Sequence, residues 1–444
     1  MSAPRKQLHF GLFTYPGGHH IAGWRHPSTP SNALMTLEFW ANMAQLAERG
    51  KFDLFFVGDT LFTREKDGRF FGRQAFSNPD PVSLCSVVSA VTERIGLVPT
   101  LSTTYHEPYA IASKFATLDH VSNGRAGWNI VTTWEDRASL NFSRATALPK
   151  DDRYARGTDF IRACTELWDS WEDGAITMDR ASGQFLDPAR ISAVKHRSDS
   201  FEIAGPLRQP RPVQGWPVLV QAGASPPGRR FAAQIAEAIF TAQTNLAEAQ
   251  AFRSSTHALM AEYGRPPEAV VIMPGLSPLV ADTEAAAKRL EVELAELVHP
   301  EVAIWMLSEN LYFNFYDRDP DEPMPIEEVR ASRTPTSNGE SILRACARGN
   351  LTIGEAARHV ARSRAHQSFV GTPEQLADLM QTWLEAGGCD GFNLLPPYFP
   401  EQLKVFVEQV VPVLQRRGIY RRDYEGTTLR EHLGLKRPPG RHAG

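Results

Sequence analysis

The chain has 444 residues, 42% hydrophobic and 22% charged, with a formal net charge of −4. That is ordinary globular composition with material for a large core, and nothing in it points to a nucleic-acid or membrane surface. Cys85, Cys164, Cys346 and Cys389 lack C-x-x-C spacing and read as reduced core thiols, not as a disulfide frame or zinc site. His9 and Gly11 interrupt the first apolar run, so no signal-peptide core is expected. No segment approaches the roughly 20 apolar residues of a membrane span, and the expected location is cytoplasmic.

Leu8–Phe13 reads as the first strand, and the loop after it, Thr14–Asn32, is rich in Gly, Pro, His and Trp. Ser31 or Asn32 is placed to cap a helix with Leu37, Trp40, Met43, Leu46 and Ala47 at helical spacing, stopping at Gly50. Leu54–Val57 is the second strand. A helix near Pro81–Thr92 leads to a third strand near Ile95–Pro99, and Pro108 opens the next helix. Ala126–Val131 is strand four, and a helix runs from about Asp151 to Trp171. Glu172–Gly215 reads as a polar excursion, partly β. Pro217–Gln221 and Ala238–Thr241 are strands five and six, followed by a helix, Leu246–Tyr263, and strand seven, Val270–Met273. After the helix Asp282–Leu297 the pattern breaks down. Ser308–Gln367, with the run DRDPDEPMP and many arginines, reads as a longer, structureless insertion. The core resumes with a capped helix, Thr372–Ala386, strand Gly391–Leu394 and helix Pro400–Gly418. Residues 419–444 form an extension with a capping box at Thr428–Glu431.

Eight apolar strands alternating with amphipathic helices predict a parallel sheet with helices outside. Eight units fit a single-domain α/β fold, a closed (β/α)8 barrel of TIM type with two insertions. An open doubly wound sheet would give the same alternation.

In such a barrel the working residues lie in the loops after the strands. Strand one is followed by His19, His20, Trp24, Arg25 and His26, strand two by Asp59 and Thr60, and strand three by Thr103, Thr104, Tyr105 and His106. Asn129 sits on strand four. That collection of hydroxyls, an amide, aromatics and imidazoles suits a flat ligand with a polar edge, such as a flavin ring. Lys150 and Tyr154, four apart at a helix start, share one face and suit an anion such as phosphate. Gln221–Ser225 reads as a second half of that cradle: Gly223 lets backbone approach, Ser225 offers a hydroxyl, and the helix from Pro226 points its N–H groups at the anion. A metal centre is not expected. No H-x-H occurs on the first strand, and the adjacent pair His19-His20 seldom lets both rings point at one ion. Asp119 and His120 read as capping or surface groups. His20 and His106 are candidates for substrate positioning or proton transfer.

Several stretches carry a resemblance: GR-x-GWN-x-VT (Gly124–Thr132) followed by D-x-RY ending at Tyr154, GGHHIAGWRHP (Gly17–Pro27), GDT (Gly58–Thr60), Ser102–Arg125, Gln221–Thr241, and the C-terminal motifs VGTPEQLAD, GFNLLPPYFP and YEGTTLREHLGL. In this order, across nearly the whole chain, they resemble the flavin-dependent monooxygenases of the bacterial-luciferase-like superfamily, in the branch of nitrilotriacetate, EDTA and dibenzothiophene-sulfone monooxygenases and pristinamycin IIA synthase.

The resemblance implies a (β/α)8 barrel and a two-component reaction. A separate NAD(P)H:flavin reductase would supply reduced FMN. O2 would add at the flavin C4a, and the resulting (hydro)peroxide would give one oxygen atom to a small organic substrate. It implies that Lys150, Tyr154, Gly223, Ala224 and Ser225 hold the FMN phosphate, that Asn129 meets the ring edge, and that Asp59, Thr103 and Thr104 lie beside it. Lys150 stands where the family usually has His, and Ala224 where it usually has Ser. Trp24 is expected to wall the substrate side, with His20, His26 or His106 bonding substrate or the oxygen adduct. Ser308–Gln367 is the expected lid. A homodimer is expected, with Tyr424–Leu435 lying across a neighbour. Rival readings are a deazaflavin-dependent oxidoreductase, a metal hydrolase, or a catalytically silent flavin-binding protein.

Overall fold

The structure is a computed structural model describing residues 6–31, 35–63, 65–66, 69–70, 72–73, 78–133, 135–223, 225–333, 335, 337–364 and 366–440. Eight strands form its centre: β1 His9–Thr14, β2 Leu54–Val57, β3 Gly96–Ser102, β4 Gly127–Val131, β5 Val218–Gln221, β6 Ala238–Thr241, β7 Val271–Val280 and β8 Gly391–Leu394. Each pairs in parallel with its sequence neighbours, and β8 returns to β1, with Phe10 opposite Phe392. The sheet is therefore a closed barrel rather than an open doubly wound sheet. Closure gives each of these eight strands two partners, so the barrel itself has no open edge.

Alternation along the strands fills the interior. Leu54, Phe56, Val98, Val218, Val220, Ala238, Val271 and Met273 form one buried cluster. The floor is closed from outside the barrel sequence. Leu429, Leu433 and Leu435 join the same cluster, and Leu429 is fully buried. A methyl group added at Gly96 would lie 2.4 Å from Leu429 Cδ1, and one at Gly127 would lie 3.1 Å from Cδ2, so both glycines make room for this side chain. The Thr428–Glu431 capping box forms, Tyr424 Oη donates to Phe52 O at 2.7 Å, and Arg430 Nη2 donates to Glu237 Oε2 at 3.0 Å. The segment expected to lie across a neighbour, Tyr424–Leu435, packs beneath its own barrel.

Other expectations need adjustment. The first helix, Leu37–Arg49, starts behind Thr36, not Ser31; Asn32 falls outside the described residues. Strand β7 runs on to Val280, its length disguised in the sequence by Pro274, Gly275 and Pro278. Its upper half pairs with an added parallel strand, Gln367–Gly371. Glu172–Gly215 holds two small hairpins, Ile176–Asp179 with Gln184–Leu186 and His196–Arg197 with Glu202–Ile203. The long insertion is not structureless. Helices Pro300–Leu311, Ile326–Ser332, Ser337–Gly349 and Ile353–Ser363 enclose their own core, which includes Trp305, Phe315, Ile342 and Val360. Asp119 is not a surface group: it is buried and accepts from Gln214 Nε2 at 2.7 Å.

Removing the floor side chain tests this packing. Leu429→Ala should destabilise the protein by about 2–4 kcal/mol, the cost of a buried Leu-to-Ala cavity. Denaturant unfolding measures it, and a cost near zero would mean that the floor collapses onto the gap.

Candidate active site at the barrel mouth

The C-terminal ends of the strands surround an aromatic mouth. The rings of Phe13, Phe56 and Phe240 touch one another, with centroids 5.0–5.8 Å apart. His366 stacks on Phe240 at 5.1 Å, and His19 lies 5.6 Å from His366 and 5.8 Å from Phe13. His19 is buried and His366 is partly buried, with its Nδ1 out of contact with solvent. Burial pulls the pKa of His366 to about 4 and drives that of His19 well below its ordinary value, so both rings are neutral near pH 7.

Asn129 shows how the mouth fixes a polar atom. Thr100 Oγ1 donates to Val57 O at 2.7 Å, which leaves it only acceptor capacity. Asn129 must therefore present its amide nitrogen to Thr100, at 2.8 Å, and its Oδ1 is left buried without a partner among the described residues. Asn393 Oδ1, His366 Nδ1 and both nitrogens of His19 are orphaned in the same way, as is Gln221 Oε1 at the end of β5. An unpaired buried polar atom costs about 1–3 kcal/mol. A cluster of them around aromatic walls is a site built for something polar to enter.

An anion corner lies beside the mouth. The helix Lys150–Trp168 and the helix Pro226–Ile235 bring their N-termini together: Tyr154 Oη, in the second turn of the first helix, is 3.4 Å from Ser225 Oγ, the N-cap of the second. Ser225 Oγ also accepts from Gly228 N at 3.3 Å. Lys150 is exposed one turn before Tyr154, and Gly223 ends the strand-to-helix turn. Ala224 falls outside the described residues. Two sets of orphan helix N–H groups, two hydroxyls and an ammonium make a phosphate-type site.

Three comparisons with known proteins bear on this arrangement. A family model described as luciferase-like monooxygenase matches residues 17–390. The chain belongs to the luciferase-like monooxygenases. It is 45% identical to N-acetyl-S-(2-succino)cysteine monooxygenase of Bacillus subtilis (strain 168) over 444 residues, covering 100% of both chains. It is 42% identical to nitrilotriacetate monooxygenase component A of Aminobacter aminovorans, covering 98% of this chain and 97% of that one. A crystal structure of riboflavin lyase with modified FMN and riboflavin superposes with a TM-score of 0.87 at 31% identity, covering 97% of each chain.

In this luciferase-like enzyme, the loop Gly17–Pro27 is not arranged as its sequence implied. Gly17 and Gly18 take φ of 75° and 112°, and a methyl group on Gly18 would meet Pro397 O at 2.3 Å. The chain therefore reverses against the exit of β8, where the carbonyls of Pro396 and Pro397 accept from His19 N and His20 N. His19 enters the mouth. His20 turns the other way, into a cavity lined by Leu279, Glu291, Arg362 and Phe369. Trp24 is 42% exposed in a surface cleft beside Leu297 and Val302. His26 stacks on Tyr398 at 3.8 Å, with Nδ1 2.8 Å from Ser28 Oγ. As a correction, the loop's contribution to the mouth is His19, not His20, Trp24 or His26.

The remaining predicted residues line the rim. Thr103 and Thr104 are buried, and their hydroxyls donate to Val131 O and Thr133 O, both at 3.4 Å, so they tie the β3 exit to the β4 exit. His106 Nδ1 donates to Ser102 O at 2.8 Å, and burial lowers its pKa, which leaves Nε2 as a neutral acceptor. Asp59 Oδ1 accepts from Thr60 N at 2.7 Å. Sequence reading missed His366 and Asn393. Asn393 was reachable through strand alternation; His366 precedes a strand hidden in the insertion and gave no signal.

Burial raises the pKa of Asp59 to about 6. A raised pKa means that the fold favours the protonated acid. Its stabilising contribution is complete below the unfolded value, near 4, and is lost as pH climbs through 6. Asp59→Asn should match the parent below pH 4 and exceed it above pH 6.5 by about 1–2 kcal/mol. Melts across this range measure it; a difference independent of pH would contradict the burial argument.

Proposed function

We propose that this monooxygenase binds reduced FMN in the mouth and uses O2 to oxygenate a small organic substrate, the FMN coming from a separate reductase. The supporting observation is the oriented, unpartnered Oδ1 of Asn129 in an aromatic mouth that also has a two-helix anion corner. A flavin has the complementary parts: a flat apolar ring, a polar N–H edge and a phosphate at the end of a flexible arm. The structural relative holds a modified FMN, and the name of nitrilotriacetate monooxygenase component A implies a second component.

On this reading Tyr154, Ser225 and Lys150 hold the phosphate, and Asn129 Oδ1 accepts from the ring N–H edge. When bound, the reduced flavin supplies the electrons that activate O2 for transfer of one oxygen atom. Phe13, Phe56 and Phe240 keep water from the reacting face. Asp59, half-protonated near pH 6, can hold a proton on Oδ2, because Oδ1 is occupied by Thr60 N. His19 and His366 offer neutral nitrogens to position a substrate. The helical insertion reaches this place directly: Arg364 Nε donates to His19 O at 3.0 Å, and its guanidinium lies 3.9 Å above the Tyr15 ring. That contact makes the insertion the natural cover of the mouth.

Lys150→Ala and Tyr154→Phe should each weaken FMN binding by roughly 1–3 kcal/mol, the range for hydrogen bonds to a charged group. Fluorescence titration reads this, and unchanged affinities would move the phosphate elsewhere. Oxygen uptake with reductase-supplied reduced FMN, using N-acetyl-S-(2-succino)cysteine as first probe of a substrate panel, tests the activity. Turnover supported by a reduced deazaflavin and not by reduced FMN would overturn the cofactor assignment.

A further inference from the structure

We infer that the chain has a second small-molecule site, outside the barrel mouth, shaped for an organic carboxylate with an apolar body. The site is a cavity of about 450 Å³ between the helix Glu284–Glu296, the helix Ile353–Ser363 and the strand Gln367–Gly371. This volume lies within the range of small-molecule pockets, roughly 300–1,000 Å³. Leu279, Leu294, Val298, Leu351 and Phe369 give it an apolar wall.

Its polar groups are one-sided. Both carboxylates on the wall are already engaged: Glu291 pairs with Arg362, and Glu355 Oε2 accepts from Thr352 N at 2.8 Å in its helix cap. The donors are not used up. His20 Nδ1 accepts from Ala22 N at 3.2 Å, so the neutral ring carries its proton on Nε2. Its pKa is lowered to about 3, first by burial and then by the nearby guanidiniums, which keeps it in that form. Arg362 Nε is a buried donor without a partner among the described residues. Arg358, on the rim, forms no ion pair among the described residues. A cavity whose two carboxylates are each held by a donor, while further donors stay open, favours an acceptor ligand. The uncommitted guanidinium favours an anion, and the wall favours a hydrocarbon body.

The partition from the mouth is the loop backbone at His19 and His20. His19 faces Phe13 and His366; the next ring along the chain faces this cavity. The inference therefore stands independently of the flavin reading.

Octanoate is a suitable probe, with octylamine as the charge-reversed comparator, in calorimetric titration of the full-length protein. We expect saturable octanoate binding at one site per chain, none for octylamine, and no change when the protein is saturated with FMN. Arg358→Gln should weaken octanoate by about tenfold or more, as loss of a charge-assisted contact does. Leu351→Trp, which fills the cavity from its partly exposed side, should abolish binding while the melting temperature and FMN affinity stay near parental. The inference fails if octanoate does not saturate, if octylamine binds equally well, if both variants bind as the parent does, or if FMN displaces the probe. The last result would put octanoate in the mouth.

Discussion

Barrel closure is the constraint on which everything else rests. Once eight parallel strands pair side to side, every second residue must point inward, and the interior has to be filled or used. The lower half is filled, by Leu54, Val98, Val218 and Val271 and by Leu429 rising between Gly96 and Gly127. The upper half is used. At the same inward register, two residues above Gly127, stands Asn129, and β8 contributes Asn393. The change from closed floor to polar mouth takes place within single strands.

The mouth keeps most of its charge at its margins. Burial holds its two imidazoles neutral and raises the pKa of Asp59 to about 6. Positive character lies at the corner where two helix N-termini meet near Lys150, and at Arg364 over the Tyr15 ring. A ligand with an uncharged ring and an anionic tail matches this division, and in the low-dielectric centre each dipole acts at greater strength than it would in water.

Much of this was legible in the chain itself. Strands β2, β6 and β8 follow the apolar runs between their turn residues, because strands buried on both faces leave that unbroken signature. Tyr154 and Ser225, far apart in sequence, were recoverable from helix-start chemistry and do meet. What escaped has physical causes. In the long insertion the exposed helix faces carry arginine–glutamate pairs such as Arg330–Glu340, and turn residues separate the helices, so a small buried core such as Trp305 and Ile342 is diluted below recognition. The histidines after β1 could be found, but not their directions. Which of two adjacent rings enters the mouth is decided by the reversal at Gly17 and Gly18 against Pro397, a contact between opposite ends of the chain.

The floor contact has a kinetic side. Leu429 meets Gly96 and Gly127 across about three hundred intervening residues, so the layer that completes the barrel is also among its least local. Loop closure over such spans is slow compared with forming helices and neighbouring strand pairs. During folding, a cylinder lacking this side chain would present an open ring of leucine and valine to water and to other chains. Aggregation during refolding would then be governed by how quickly one short capped turn finds the underside of the barrel.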